Sequence, residues 1–187
     1  MYIRKRKVNK LPFELTNTIL NCYRCKLSQF RNHVVIGTGK IPAKILFLGE
    51  APGKSENVSG IPFFGLSGNL LREIITDACK LGNIDKMPDY YITNTVLCRP
   101  CDFSGGQNRA PNNNEVLMCA PLVLEIIRHI KPELVVFVGE IAYNYYKKEF
   151  NNHVKIFHPA FLLRKGGKGC IHYGTTIKIL SDALKGV

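Results

Sequence analysis

The cysteines are the first residues in this chain whose types and spacing can do chemistry. There are seven. Cys22 and Cys25 form a Cys-x-x-Cys pair, which places two thiolates on one turn where they can share a metal. Cys98 and Cys101 make a second such pair, and Cys119 follows. Two pairs read as a zinc ribbon. The set Cys22, Cys25, Cys98 and Cys119 reads equally well as the four thiolates of an iron–sulfur cluster. Spacing leaves both open. Cys79, near the apolar face of a helical stretch, and Cys170 read as small packing residues.

A second chemical stretch is Gly49-Glu50-Ala51-Pro52-Gly53, followed by Glu56 and by Gly60-Ile61-Pro62-Phe63-Phe64-Gly65. Glycines and prolines between a strand and a helix let backbone amides approach a ligand. The residue types describe a pocket for an anion or a base, with a carboxylate and aromatic walls. Further along stand Thr93-Asn94, Cys98-Arg99-Pro100 and His158-Pro159-Ala160-Phe161-Leu162-Leu163-Arg164. These add an amide, an imidazole and a cation.

Positioning these residues requires alternating strands and helices. Lys44–Leu48, Tyr90–Val96, Leu134–Val138 and Val154–Phe157 read as strands. Leu15–Leu27 holds a short helix. Ser67–Leu81 has apolar residues at 70, 71, 74, 75, 78 and 81, a helical spacing. Asn112–Ile130 reads as a helix that Pro121 should kink or break. Glu140–Phe150 and Thr175–Leu184 complete the set, and residues 158–164 read as a loop. The pattern predicts an α/β fold, a three-layer α/β/α sandwich with a central four-stranded parallel sheet, formed by one domain over 1–187. In such sheets ligands bind at the carboxyl ends of the strands. Glu50, Asn94 and His158 all fall there.

Composition narrows the partner. Lys and Arg number 26 against 14 Asp and Glu, a formal charge of +12. Arg4, Lys5, Arg6, Lys7 and Lys10 make residues 1–10 a flexible basic arm, and Arg164, Lys165 and Lys168 form a second basic patch. Nucleic-acid phosphate is the polyanion that this excess fits best. No apolar run reaches the roughly 20 residues of a membrane span, and no clean signal sequence follows the basic start. The expectation is a cytoplasmic monomer that binds DNA and no membrane, in a compartment where seven thiols do not serve as disulfides.

Taken in order, these motifs resemble the uracil-DNA glycosylase superfamily, most closely its family 4, the iron–sulfur enzymes. The resemblance covers Cys22 to the last helix. It rests on the Cys-x-x-Cys, Gly-Glu-Ala-Pro-Gly, Pro-Phe-x-Gly-x-x-Gly-x-Leu-Leu, Thr-Asn before Cys-Arg-Pro, Asn-Arg-x-Pro, a cysteine after Glu115, and His-Pro-Ala-x-Leu-Leu-Arg. It implies hydrolytic removal of uracil from DNA and a [4Fe–4S] cluster on Cys22, Cys25, Cys98 and Cys119. It implies catalytic roles for Glu50, on water or the sugar cation, and for His158, on the uracil O2. Phe63 would stack on the base, Asn94 would read its edge, Glu56 would crowd C5, and Gly49, Ala51 and Gly53 would shape the pocket. Leu162 or Leu163 would fill the gap left in the base stack, with Arg164 on phosphate.

The chain departs from the pattern in places. The interval from Cys98 to Cys119 is long, so Cys101 competes with Cys98 as a ligand. Asn57 stands where an aspartate is usual, and Ala51 where family 1 has one. Three other readings accompany the glycosylase: an inactive DNA-binding relative, a glycosylase for another modified base, and a zinc-ribbon DNA-binding protein.

Overall fold

Four short parallel strands, two of them continuous apolar runs, stand at the centre of a computed structural model that describes residues 10–187. They are β2 (Ile45–Gly49), β3 (Tyr90–Asn94), β4 (Leu134–Val138) and β5 (His153–Ile156), in the order β3-β2-β4-β5. A two-residue strand, β1 (Thr38–Gly39), adds antiparallel to the outer side of β3. The sheet therefore has five strands, its parallel core being the four expected. So short an edge strand carries no periodicity from which to read it. Of the expected basic arm, Lys10 is described and residues 1–9 lie outside the described residues.

The strands β2 and β4 are buried on both faces, and their residues alternate between two cores. Leu46, Leu48, Val135 and Phe137 point to one side, against α1 (Phe13–Leu20), α4 (Asn113–Ile130) and α5 (Glu140–Tyr146). Ile45, Phe47, Val136 and Val138 point to the other, against α3 (Leu66–Leu81), α6 (Pro159–Arg164) and α7 (Ile171–Leu184). Burying side chains such as Phe47 and Phe137 stabilises the fold by ~1.5–3 kcal/mol each. The layers are α/β/α, as the alternation of elements requires.

Helix boundaries follow local chemistry. The Asn112 side chain accepts from the Glu115 amide at 2.9 Å, and the Asn112 amide donates to Glu115 Oε2 at 2.9 Å, a capping box that starts α4. Pro121 does not break this helix, contrary to expectation, and α4 runs unbroken through it. Pro121 and Leu117 are both exposed, so the Leu117 carbonyl left without its amide donor faces water and its loss costs little.

Residues 158–164 also differ from expectation. They are the N-cap and body of α6 and not a loop: His158 caps, and Pro159 occupies the first helical position, where its missing N–H is no loss. Two short turns complete the positioning frame, α2 (Lys54–Ser59) after β2 and a 3₁₀ turn at Lys26–Gln29 after the first cysteine pair.

Candidate functional site

Strand register brings the site together. Gly49 at the end of β2 lies beside Asn94 at the end of β3. A Cβ at Gly49 would stand 2.4 Å from Asn94 Oδ1 and 2.6 Å from the Phe63 ring. Only a residue without a side chain lets the amide and the ring share this corner. Asn94 is 2% exposed. Among the described residues its amide has no hydrogen-bonding partner, and it faces the pocket.

That pocket, of about 610 Å³, lies at the carboxyl ends of the strands. Its lining includes Glu50, Ala51, Gly53, Glu56, Phe63, Asn94, His158 and Arg164. Eight residues singled out from four separate motifs thus converge on one cavity. Gly49 stands behind it, as the floor that admits Asn94 and Phe63.

The imidazole is held in a defined state. His158 Nδ1 accepts from the Ala160 amide at 3.1 Å. An accepting Nδ1 carries no proton, so in the neutral ring Nε2 carries it. Burial lowers the His158 pKa to about 4, and the positive charge of Arg164 lowers it further in the same direction. The ring is neutral at physiological pH and presents one N–H donor. Its centroid lies 5.9 Å from that of Phe63, the rings tilted by 31°.

The two carboxylates differ. Burial raises the Glu50 pKa, with Arg164 partly offsetting it. Burial also raises that of Glu56, partly offset by the amides of Glu56 and Gly53. Glu56 Oε2 accepts from the Gly53 amide at 3.1 Å. It thereby caps α2 while lining the pocket. Asn57 faces away: its Oδ1 accepts from the Asn32 amide at 2.9 Å and its carbonyl meets His33 Nδ1 at 3.0 Å.

The helix at 159–164 corrects one expectation. Leu162 is 0% exposed and packs in the core under α3 and α7. It cannot enter a base stack without unpacking α6. Leu163 is 39% exposed and is the leucine of the pair that can reach a ligand. Lys168 differs from the basic patch expected of it: it pairs with Glu73 at 2.9 Å and Asp77 at 3.4 Å. That lysine ties the turn after α6 to α3, whereas Arg164 lines the pocket together with Lys54 and Arg109.

One wall was not anticipated. Asn108, Arg109 and Ala110 line the pocket, just past the stretch from Cys101 to Gly106 that lengthens the interval to Cys119. Arg99 is buried and donates from Nε to Asn108 Oδ1 at 2.6 Å and from its terminal nitrogen to the Gly106 carbonyl. Arg109 pairs with both Glu115 oxygens at 2.7 and 2.8 Å and with Asp102 at 2.7 Å. The Asn-Arg-x-Pro motif was visible in the sequence; that Arg99 folds it onto the pocket was not.

The cysteines occupy the opposite layer. Cys22, Cys25, Cys98 and Cys119 line one small, largely apolar cavity of about 20 Å³ between the 3₁₀ turn, the β3–α4 connection and α4. Arg31 donates to Cys98 Sγ at 3.5 Å and to the Cys22 carbonyl at 2.6 Å. Burial pushes the Cys98 thiol up to about 11 and the Cys119 thiol up to about 12. Cys101 is buried outside this cavity, its sulfur 3.9 Å from the Arg99 carbonyl. Among the described residues no three His, Cys, Asp or Glu side chains are arranged to hold a single metal ion. The four thiols ring the cavity instead of meeting at one point.

Comparison with known proteins places this arrangement. The family described as the Uracil DNA glycosylase superfamily matches residues 36–181. A type-4 uracil-DNA glycosylase of Saccharolobus solfataricus is 36% identical over 137 residues, 73% of this chain and 59% of that protein. One of Pyrobaculum aerophilum is 37% identical over 129 residues, 69% of this chain and 61% of its own length. One of Archaeoglobus fulgidus is 31% identical over 159 residues, covering 83% and 75%. The chain spans about three-fifths of the length of the first two relatives.

Proposed function

Because the chain belongs to the uracil DNA glycosylase superfamily, we propose that it extrudes uracil from DNA and hydrolyses its N-glycosidic bond, leaving an abasic site. One observation carries this reading: a carboxylate, an aromatic ring, an unpartnered amide and a neutral imidazole line a single pocket. A binding module has no need of all four.

A base inside a duplex is out of reach, so it must be flipped, at a cost of a few kcal/mol. Arg164 grips phosphate beside the pocket, and Leu163 is the apolar side chain available to the vacated stack. Phe63 stacks on the extruded base. The Asn94 amide offers a donor and an acceptor, matching the O4 and N3–H edge of uracil and mismatching cytosine. Glu56 stands at the C5 side, where a methyl group would crowd it.

Breaking C1′–N1 sends the bonding pair into the base, and negative charge develops on O2. The His158 Nε2–H donates to that oxygen. A donor aimed in advance at developing charge supplies roughly 3–4 kcal/mol. Glu50 orients the water whose oxygen bonds C1′, and its raised pKa suits it to accept the departing proton.

The residues ringing the second cavity fit an iron–sulfur cluster. Four thiols share one apolar enclosure, where burial opposes the ionisation of Cys25, Cys98 and Cys119 unless a cation compensates. Cys22, Cys25, Cys98 and Cys119 would hold a [4Fe–4S] group. When bound, it would serve as a cross-link between the segment after α1 and the β3–α4 connection.

The chain would work as a monomer on DNA in the cytoplasm. No helix among the described residues is long and apolar enough to cross a membrane.

The test is excision from single-stranded and U:G oligonucleotides, read as alkali-labile abasic sites, with a panel of modified bases alongside. Uracil should be released from both substrates. No abasic product at stoichiometric enzyme would sink the proposal, and release of a modified base alone would reassign the substrate.

A further inference from the structure

We propose that Arg72 is a positioning residue for the base-stacking ring, acting through the carbonyl of Phe63. The inference rests on the reading of Phe63 as the platform for the base.

Phe63 has φ of 51°, in the left-handed region. A bulky residue adopts it only when its surroundings hold it there, and such residues gather at functional sites. Two features of α3 hold this one. A Cβ at position 68 would lie 1.4 Å from the Phe63 carbonyl oxygen, so Gly68 is the opening into which that carbonyl turns. Arg72, four residues along and on the same helix face, donates from Nη1 to this oxygen at 3.1 Å. Among the described residues, that guanidinium is the donor the carbonyl meets.

The geometry has a consequence for the ring. With its carbonyl drawn into the first turn of α3, Phe63 is 5% exposed and its ring lies against Gly49 and His158. Without the guanidinium the carbonyl loses its partner, and the relaxed backbone lies at negative φ. That rotation would swing the ring out of the corner it shares with Asn94. Arg72 lies outside the pocket lining, so its effect on a substrate must pass through Phe63.

The experiment combines a double-mutant cycle with a fluorine probe. Arg72 is exposed, so Arg72→Met should retain the fold, checked by its melting curve. In wild-type background kcat/KM for a uracil oligonucleotide should fall about tenfold. Arg72→Lys, which keeps a donor, should recover most of it. In a Phe63→Ala background, Arg72→Met should cost nothing further, because contacting residues couple. In parallel, the fluorine resonance of 4-fluorophenylalanine at position 63 should shift in Arg72→Met and return in Arg72→Lys. Equal losses in both backgrounds, or an unmoved resonance, would overturn the proposal. Inactive wild-type protein would count against the glycosylase reading alone, and the fluorine arm would still decide whether Arg72 places the ring.

Discussion

The two cavities are built from the same sheet by opposite means. The site pocket mixes polar and apolar side chains, stands at the strand ends, and draws its residues from five stretches of chain, at 49–56, 63–67, 94, 108–110 and 158–164. The cysteine cavity is apolar and takes its donors from the turn after α1, the β3–α4 connection and α4. In the first, function depends on where side chains aim; in the second, on which parts of the chain are joined. Damage to one should therefore appear as lost rate and damage to the other as lost stability.

His158→Ala gives the largest separation of the two. Removing the donor aimed at the leaving group should lower kcat by about 10²–10³-fold. Melting temperature should fall only by the few degrees that the lost cap of α6 costs, and bound iron should barely move. A variant that loses both together would show that the two cavities are one cooperative unit.

Cys98→Ser is the complementary probe. By analogy with a cross-link that closes a long loop, losing it should cost ~3 kcal/mol. That corresponds to about 6–12 °C in Tm for a domain of this size. The visible absorbance and iron content should fall with it. Cys101→Ser should leave both in place, since its sulfur lies outside the cavity. The reverse result would exchange the two ligands. Colourless protein carrying zinc would reinstate the ribbon reading.

Gly49→Ala tests the corner that joins β2 and β3. Its methyl would meet both Asn94 Oδ1 and the Phe63 ring within 3 Å. Overpacking of this kind costs ~1–3 kcal/mol. It falls on residues that grip the base, so KM should rise by about tenfold while iron content stays constant. An unchanged KM would mean that Asn94 and Phe63 do not hold the base together.

The unequal legibility of the two regions has physical causes. β2 and β4 are continuous apolar runs, buried on both faces, and α3 carries an apolar stripe at helical spacing; these fix the frame. The capping pair Asn112 and Glu115 marks the start of α4. Glu50, Asn94 and His158 could be placed at strand ends because parallel topology puts such ends on one side. What escaped were effects of distance and exposure. Pro121 looked like a break because a sequence does not tell which side of a helix faces water. Leu162 looked available because residues 158–164 read as a loop. Yet Pro159 at the first helical position, and burial at 159 and 162, are helical signs. Lys168 looked like a phosphate contact because Glu73 and Asp77 are remote in sequence. Arg99 folding Asn108 onto the pocket has no local signature at all.

The smallest expected effect is in the pH profile, where the two ionisable groups of the pocket separate. Folding lowers the His158 pKa from 6.5 to about 4. The unfolded chain therefore takes up a proton below 6.5 that the folded chain refuses until about 4. His158 thus subtracts stability as pH falls through that window, and contributes nothing above it. Its neutral, donating form persists throughout, so it should leave no inflection near 6.5 in kcat/KM. Glu50 behaves oppositely. Burial raises its folded pKa above 4.5, so ionising it costs stability as pH rises through that interval. Only the ionised form can accept a proton from water. The free enzyme should then show one acid limb, centred above 4.5, reaching a plateau by neutral pH. Glu50→Gln should flatten the limb at a lower rate. A limb near 6.5 that survives Glu50→Gln would mean that His158 titrates in the open and that its enclosure by the pocket does not hold in solution. The thiols of the second cavity lie outside the site pocket, so the limb should keep its position in Cys98→Ser.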